Sequence, residues 1–188
     1  ASFGLSTISK KYRSDYKRLL SKFTLISVRE ELGAELLKNE FGISDSFVNV
    51  DPTLLLTKEE WKRLIPKKNK YKDKKYVLIY TIRYSERIVK LAKLYANHNN
   101  LEIIYLGTLK PILGVKFIPA TEVENYLDLF LNAQAVFTNS FHGTVFSIIF
   151  HKKMQIELPY KDGRNSRIEN LIKICNLKSQ VISRSEER

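Results

Sequence analysis

The stretch Ala135-Val136-Phe137-Thr138-Asn139-Ser140-Phe141-His142-Gly143-Thr144, followed by Val145-Phe146-Ser147-Ile148-Ile149-Phe150, decides how the rest of the chain reads. A short apolar run breaks at small polar residues and a longer apolar run follows. That pattern predicts a strand over 135–138 that turns sharply into a helix over 143–150, capped by Asn139 or Ser140. A helix start leaves backbone N–H groups without intrahelical partners, and these make an anion site. A histidine beside them, here His142, can pass a proton to whatever the amides hold. A bound phosphate would favour the imidazolium, so the histidine is expected to charge as an anionic substrate arrives and then to act as a general acid. The alternative is a histidine that satisfies a backbone carbonyl, and the pattern alone leaves both open.

Outward from this stretch, strands and helices alternate. Tyr76-Val77-Leu78-Ile79-Tyr80 is an almost continuous apolar strand, Ser85 to Asn97 a helix, and Leu101 to Leu106 a strand. Residues 111–120 read as loop. Thr121 is expected to cap a helix running to Asn132, with Glu124 completing a capping box. Met154 to Leu158 reads as a strand and Ser166 to Cys175 as a helix. Strands apolar on both faces and separated by helices imply crossovers and a parallel sheet covered on both sides. Residues 76–188 are therefore read as one Rossmann-like, doubly wound unit. Residues 1–65 are α/β as well: helices over 12–23 and 30–40, short strands at 25–28 and 47–50, and a Thr57/Glu60 capping box ahead of Trp61. Residues 66–75 join the two as a basic loop.

The chain has 188 residues, 44% of them apolar, enough for a sizeable core. The net charge of +12 suits anionic partners: phosphorylated or acidic substrates, anionic surfaces, or nucleic acid. The loop Pro66-Lys67-Lys68-Asn69-Lys70-Tyr71-Lys72-Asp73-Lys74-Lys75 concentrates that charge, and it reads either as a solvated linker or as a basic patch. No specific nucleic-acid signature accompanies it. No apolar run approaches a membrane span. Cys175 is the single cysteine, which removes disulfide frameworks and cysteine metal clusters and fits a cytoplasmic setting. His98 and His151 lack ligand-spaced partners, so no metal and no cofactor are expected. Neither of the common glycine-rich phosphate loops is present, and Ser140 lacks the glycines of a nucleophile elbow. The chain starts Ala1-Ser2-Phe3-Gly4, without methionine, and is expected to be a piece of a longer protein.

In a doubly wound sheet, ligands bind at the carboxyl ends of the strands. Besides His142, two other such ends carry arginines. Lys161-Asp162-Gly163-Arg164-Asn165-Ser166-Arg167 follows the last strand, and guanidinium forks match carboxylate and phosphate. Ser27-Val28-Arg29-Glu30 closes an early strand. The alternatives are a capped, solvated loop for the first and an ion pair with a nearby acid for Arg29.

Five segments in this order resemble the polysaccharide pyruvyl transferase family: Ile26-Ser27-Val28-Arg29-Glu30; Val50-Asp51-Pro52-Thr53-Leu54-Leu55-Leu56 with Trp61 following; Tyr76 to Tyr80; Thr138 to Thr144; and Arg164-Asn165-Ser166-Arg167-Ile168. The resemblance implies two Rossmann-like domains arranged as in GT-B enzymes, with this chain the C-terminal portion plus the segment joining it to a missing N-terminal domain. It implies transfer of a pyruvyl group from phosphoenolpyruvate to two hydroxyls of a surface glycan or its lipid-linked precursor, forming a ketal in the cytoplasm at the inner membrane face. His142 matches the family's catalytic histidine. Many members carry an arginine two positions before it, where this chain has Ser140, which moves donor binding toward Arg29, Arg164 and Arg167. Ser140, Gly143 and Thr144 would help to hold the phosphate. Two other readings stand beside this one. One is a GT-B glycosyltransferase using a nucleotide sugar, with Glu157 gripping a ribose diol. The other is a non-enzymatic binder of nucleic acid or anionic surfaces.

Overall fold

The computed structural model describes residues 7–66, 70–107, 111–119, 121–159 and 165–182. The chain forms two compact units, Ala1–Leu55 with Tyr160–Leu177 and Leu56–Pro159 with Lys178–Arg188. The division falls at Leu55 rather than in the basic loop, and the helix after residue 165 belongs to the first unit.

The first unit holds helix α1 (Arg13–Leu20), strand β1 (Ile26–Val28), helix α2 (Glu31–Phe41), strand β2 (Ser46–Val48) and the late helix α7 (Ser166–Ile174). The strands β1 and β2 pair in parallel, Val28 opposite Val48. Val28, Leu36, Leu37 and Phe41 form its core, against which Leu20, Ile26 and Ile43 pack. Leu36 and Leu37 with Phe41 repeat at helical spacing, which is why one face of α2 is buried. Gly42 ends α2 at φ 71°, where a side chain would be strained.

The second unit contains helix α3 (Lys58–Lys62), strand β3 (Tyr76–Tyr80), helix α4 (Glu86–Asn99), strands β4 (Glu102–Leu106) and β5 (Lys116–Ile118), helix α5 (Val123–Asn132), strand β6 (Ala135–Thr138), helix α6 (Phe141–Ile149) and strand β7 (Lys153–Ile156). All five strands are parallel in the order β5-β4-β3-β6-β7. Leu78, at the centre of β3, lies opposite Ile104 on one side and Val136 on the other. Alternation along β3 feeds both layers. Val77 and Ile79 pack with Ile88, Val89, Ala92 and Ala96 of α4. Tyr80 meets Tyr126 and Phe130 of α5 edge-on, and Tyr76 donates a 2.6 Å hydrogen bond to the Leu129 carbonyl. Burying one such large apolar side chain contributes roughly 1.5–3 kcal/mol, so this central strand anchors the unit.

Two local readings need correction. The segment taken as loop over 111–120 contains β5, a three-residue edge strand on β4. Its Lys116 is exposed and its other residues only half-buried, so it lacks the apolar signature of a central strand. Thr121 does not cap α5. Glu122 occupies the cap position, without a side-chain hydrogen bond, so there is no capping box there. The box at Thr57 and Glu60 is formed in both directions.

Candidate functional site

Between β3 and β6 the strand order reverses: the chain leaves β3 toward β4 and leaves β6 toward β7. The two loops diverge there and leave a crevice at the carboxyl ends, the usual ligand position in open α/β sheets. The decisive stretch lies at this point.

Its polar residues are turned to construction. The Thr138 hydroxyl donates to the Tyr80 carbonyl at 2.6 Å and accepts from the Ser140 N–H at 3.0 Å. Asn139 is fully buried. Its amide nitrogen donates to the Arg83 carbonyl at 2.9 Å and its amide oxygen accepts from the Ile82 N–H at 2.9 Å. Asn139 thus staples the loop after β3 to the loop after β6. Ser140 caps α6, its hydroxyl accepting from the Gly143 N–H at 3.3 Å. The Ser140 carbonyl accepts from the Thr144 N–H at 3.0 Å and from the Thr144 hydroxyl at 3.1 Å. Of the amides expected to cradle a phosphate, those of Gly143 and Thr144 are therefore engaged inside the cap. A phosphate taking them would have to displace Ser140.

Gly143 has a second reason to be glycine. A Cβ there would collide with Thr138 Oγ1 and lie 2.9 Å from Tyr80 Cδ1. The missing side chain lets α6 approach the β3–β6 pair closely. It also brings the first turn of α6, with His142, onto the sheet's carboxyl edge. His142 is half-buried, its ring edge-on to Phe141 with centroids 5.2 Å apart. His98 and His151 are exposed.

Beside Asn139 the crevice opens into a hollow of about 200 Å³ lined by Arg83, Tyr84, Ser85, Asn139, Glu157, Leu158 and Pro159. The Glu157 N–H donates to the Thr138 carbonyl at 2.9 Å, and its Oε1 accepts from the Ser85 hydroxyl at 2.8 Å. The same Ser85 oxygen accepts from the Ile88 N–H and caps α4.

The first unit carries a separate charged cluster. Asp51 is buried, and both Arg29 and Arg167 donate to its Oδ2, Arg167 at 3.0 Å. Thr53 donates to Oδ1 through both its backbone, at 3.1 Å, and its hydroxyl. Arg167 Nε lies 3.7 Å from Glu30 Oε2. Burial alone would raise the Asp51 pKa, but the Thr53 hydrogen bonds and then Arg29 outweigh it and hold the carboxyl down at about 2. Arg29 also lines a hollow of about 660 Å³ with Ser27, Asn49, Val50, Pro52 and Leu55.

The structure thus joins Arg29 and Arg167 through Asp51, which the sequence reading placed in a resemblance segment but gave no site role. The separations of 22 and 116 residues carry no periodic signal. Arg164 lies outside the described residues. Among the described residues no cluster of three or more His, Cys, Asp or Glu is placed to hold a metal ion, and no helix is long and apolar enough to cross a membrane.

The family profile of polysaccharide pyruvyl transferases matches residues 1–154. The chain belongs to the polysaccharide pyruvyl transferase family. The matched span holds the Arg29–Asp51 pair and the whole stretch through His142 and Gly143, whereas Glu157, Arg164 and Arg167 lie past it. No curated protein matches the sequence significantly. Among solved structures, a UDP-GlcNAc 2-epimerase from Methanocaldococcus jannaschii, in complex with UDP-GlcNAc and UDP, is similar with a TM-score of 0.52 at 17% identity. The match covers 82% of this chain and 54% of that one. The wall teichoic acid polymerase TagF gives 0.45 at 16% identity over 84% of this chain and 44% of its own. The chain spans about half the length of these structures. The likeness to the epimerase is one of fold: a parallel α/β sheet of the kind found in GT-B enzymes. Membership makes the chain part of an enzyme family of polysaccharide modification.

Proposed function

We propose that this chain contributes the proton-donating part of an enzyme that transfers pyruvyl from phosphoenolpyruvate to two hydroxyls of a glycan or lipid-linked glycan. The observation that carries the reading is His142. It stands half-buried in the first turn of α6, at the carboxyl edge where the strand order reverses, inside the span that matches the family. The imidazolium gives its proton to the methylene carbon of the enol, which becomes the methyl group and leaves a cationic carbon at C2. One sugar hydroxyl adds to that carbon and inorganic phosphate departs. The second hydroxyl then closes the ketal. Of the two hydroxyl protons released, one restores the imidazolium and the other leaves with phosphate. No cofactor is required.

The anionic donor needs cations, and Arg29, Arg164 and Arg167 are the proposed set. Arg29 and Arg167 already share the Asp51 carboxylate. Ser140, Gly143 and Thr144 are assigned to the phosphate, which on binding would have to take the two amides from the Ser140 cap.

Phosphorus NMR of phosphoenolpyruvate, titrated with the full-length enzyme and with its His142→Ala variant across pH, tests this reading. Broadening that exceeds that of inorganic phosphate and weakens in the variant supports it. Indifference of the donor signal to both proteins refutes it.

A further inference from the structure

The hollow lined by Arg83, Tyr84, Ser85, Asn139 and Glu157 plays no part in the donor chemistry above. We propose that it is a subsite for a vicinal diol of a sugar ring, with Glu157 accepting both hydroxyls. A carboxylate is acceptor-only and offers about four lone-pair sites. The Ser85 hydroxyl occupies one of them, on Oε1 at 2.8 Å. Oε2 has no hydrogen-bond partner among the described residues. Two adjacent ring hydroxyls present two donors at about the spacing of two carboxylate oxygens, and hydrogen bonds to an ionised acceptor are roughly twice as strong as neutral ones.

The surroundings fit a neutral, ring-shaped ligand. Glu157 opposes phosphate or carboxylate at its own position, so any anionic part of a ligand would lie away from that carboxylate. Tyr84 is 55% exposed and offers an aromatic face for the apolar side of a sugar ring. A volume of about 200 Å³ lies below the roughly 300–1,000 Å³ of sites for larger ligands, and it suits one ring rather than a whole nucleotide sugar. The site is also preformed. Glu157 is fixed through its N–H to Thr138, Ser85 is fixed as the α4 cap, and Asn139 locks the loop that carries Arg83 and Tyr84.

The diol has two sources, the hexose of a glycan acceptor or the ribose of a nucleoside. Only the first assignment rests on the pyruvyl-transfer reading. Saturation-transfer NMR on the chain, with methyl hexopyranosides against their singly deoxygenated analogues and uridine against 2′-deoxyuridine, separates them. We expect binding by at least one intact diol, at least tenfold weakening on deoxygenation, and a similar loss in Glu157→Gln, which preserves shape but removes charge. Hexoside binding makes the hollow an acceptor subsite. Uridine binding alone keeps the diol subsite and turns the reaction toward a nucleotide sugar. If Glu157→Gln fails to fold, the deoxygenated ligands on the unaltered chain still decide. Binding that ignores deoxygenation, or no binding of any sugar or nucleoside at tens of millimolar, overturns the proposal. Phosphoenolpyruvate does not enter this measurement, so its failure is distinct from failure of the donor reading.

Discussion

Gly143→Ala separates intrinsic helix preference from close packing, because the two predict opposite signs. Gly143 lies within α6, and by propensity alone alanine would stabilise a helix interior by about 1 kcal/mol. Against this, the new methyl would drive into Thr138 Oγ1, with Thr138 Cβ at 3.1 Å and Tyr80 Cδ1 at 2.9 Å. The obstructing atoms belong to the short Thr138 side chain, held by its two hydrogen bonds, and to the Tyr80 ring, so no long flexible side-chain end is there to yield. Overpacking of this kind costs about 1–3 kcal/mol. Displacing the Thr138 hydroxyl also disturbs its bonds to the Tyr80 carbonyl and from the Ser140 N–H, each contributing about 1 kcal/mol net. Subtracting the propensity gain leaves a net loss of about 2–4 kcal/mol. Trp61 is the only tryptophan and packs edge-on against Phe146 of α6, centroids 5.2 Å apart. Its fluorescence in a urea titration therefore reports on this helix. We expect an earlier midpoint with little change in slope. In a Thr138→Ala background the added cost of Gly143→Ala should shrink, since the obstructing hydroxyl is gone. Equal or greater stability of Gly143→Ala in the native background would refute the close-approach argument.

Two further outcomes follow from the same geometry. The Asp51 carboxyl is held at about 2, below its unfolded value of 3.8. Its contribution is therefore complete above roughly pH 4 and fades as the pH falls toward 2, amounting to about 2 kcal/mol at most. Amide exchange in residues 31–41 should lose protection through that window, and Asp51→Asn should abolish the window. At neutral pH the same variant removes the negative charge that Arg29 and Arg167 share and should cost about 3–5 kcal/mol; an unchanged acid profile would count against the cluster. Asn139→Ala removes both bonds that staple the loop after β3 and should cost about 2 kcal/mol by the Trp61 signal. It should also abolish the binding of any diol in the hollow, and retention of that binding would show that the loop holds its shape without the staple.

Much of the second unit is legible because its central strands are unbroken apolar runs. Tyr76 to Tyr80 and Ala135 to Phe137 need no tertiary knowledge to be read as buried strands. The edge strand β5 was not legible, since an exposed Lys116 interrupts its short run. Helix starts were legible where a side chain makes the cap, at Ser85, Ser140 and Thr57. The start of α5 was misplaced because Thr121 has the composition of a cap but not its position. At the site, the strand-to-helix turn and His142 announced themselves locally. Asn139 did not, because its role is to bind backbone 56 or 57 residues away. Asp51 did not either, although Arg29 was read as open to pairing with an acid. Gly143 was taken as a phosphate contact, yet its clearest assignment is steric.

The first unit is assembled from two stretches separated by the whole of residues 56–159. Its last ion pair joins Asp51 to Arg167 across 116 residues. At a synthesis rate of about 5–20 residues per second, Asp51 is made roughly 6–23 seconds before its second arginine exists. During that interval Arg29 is the only one of the two that can neutralise it. The second unit's five strands are all complete by residue 156 and can close first. A ribosome stalled anywhere between residues 157 and 166 would thus have synthesised every strand of the sheet but not the helix that carries Arg167, with Asp51 awaiting a charge not yet translated.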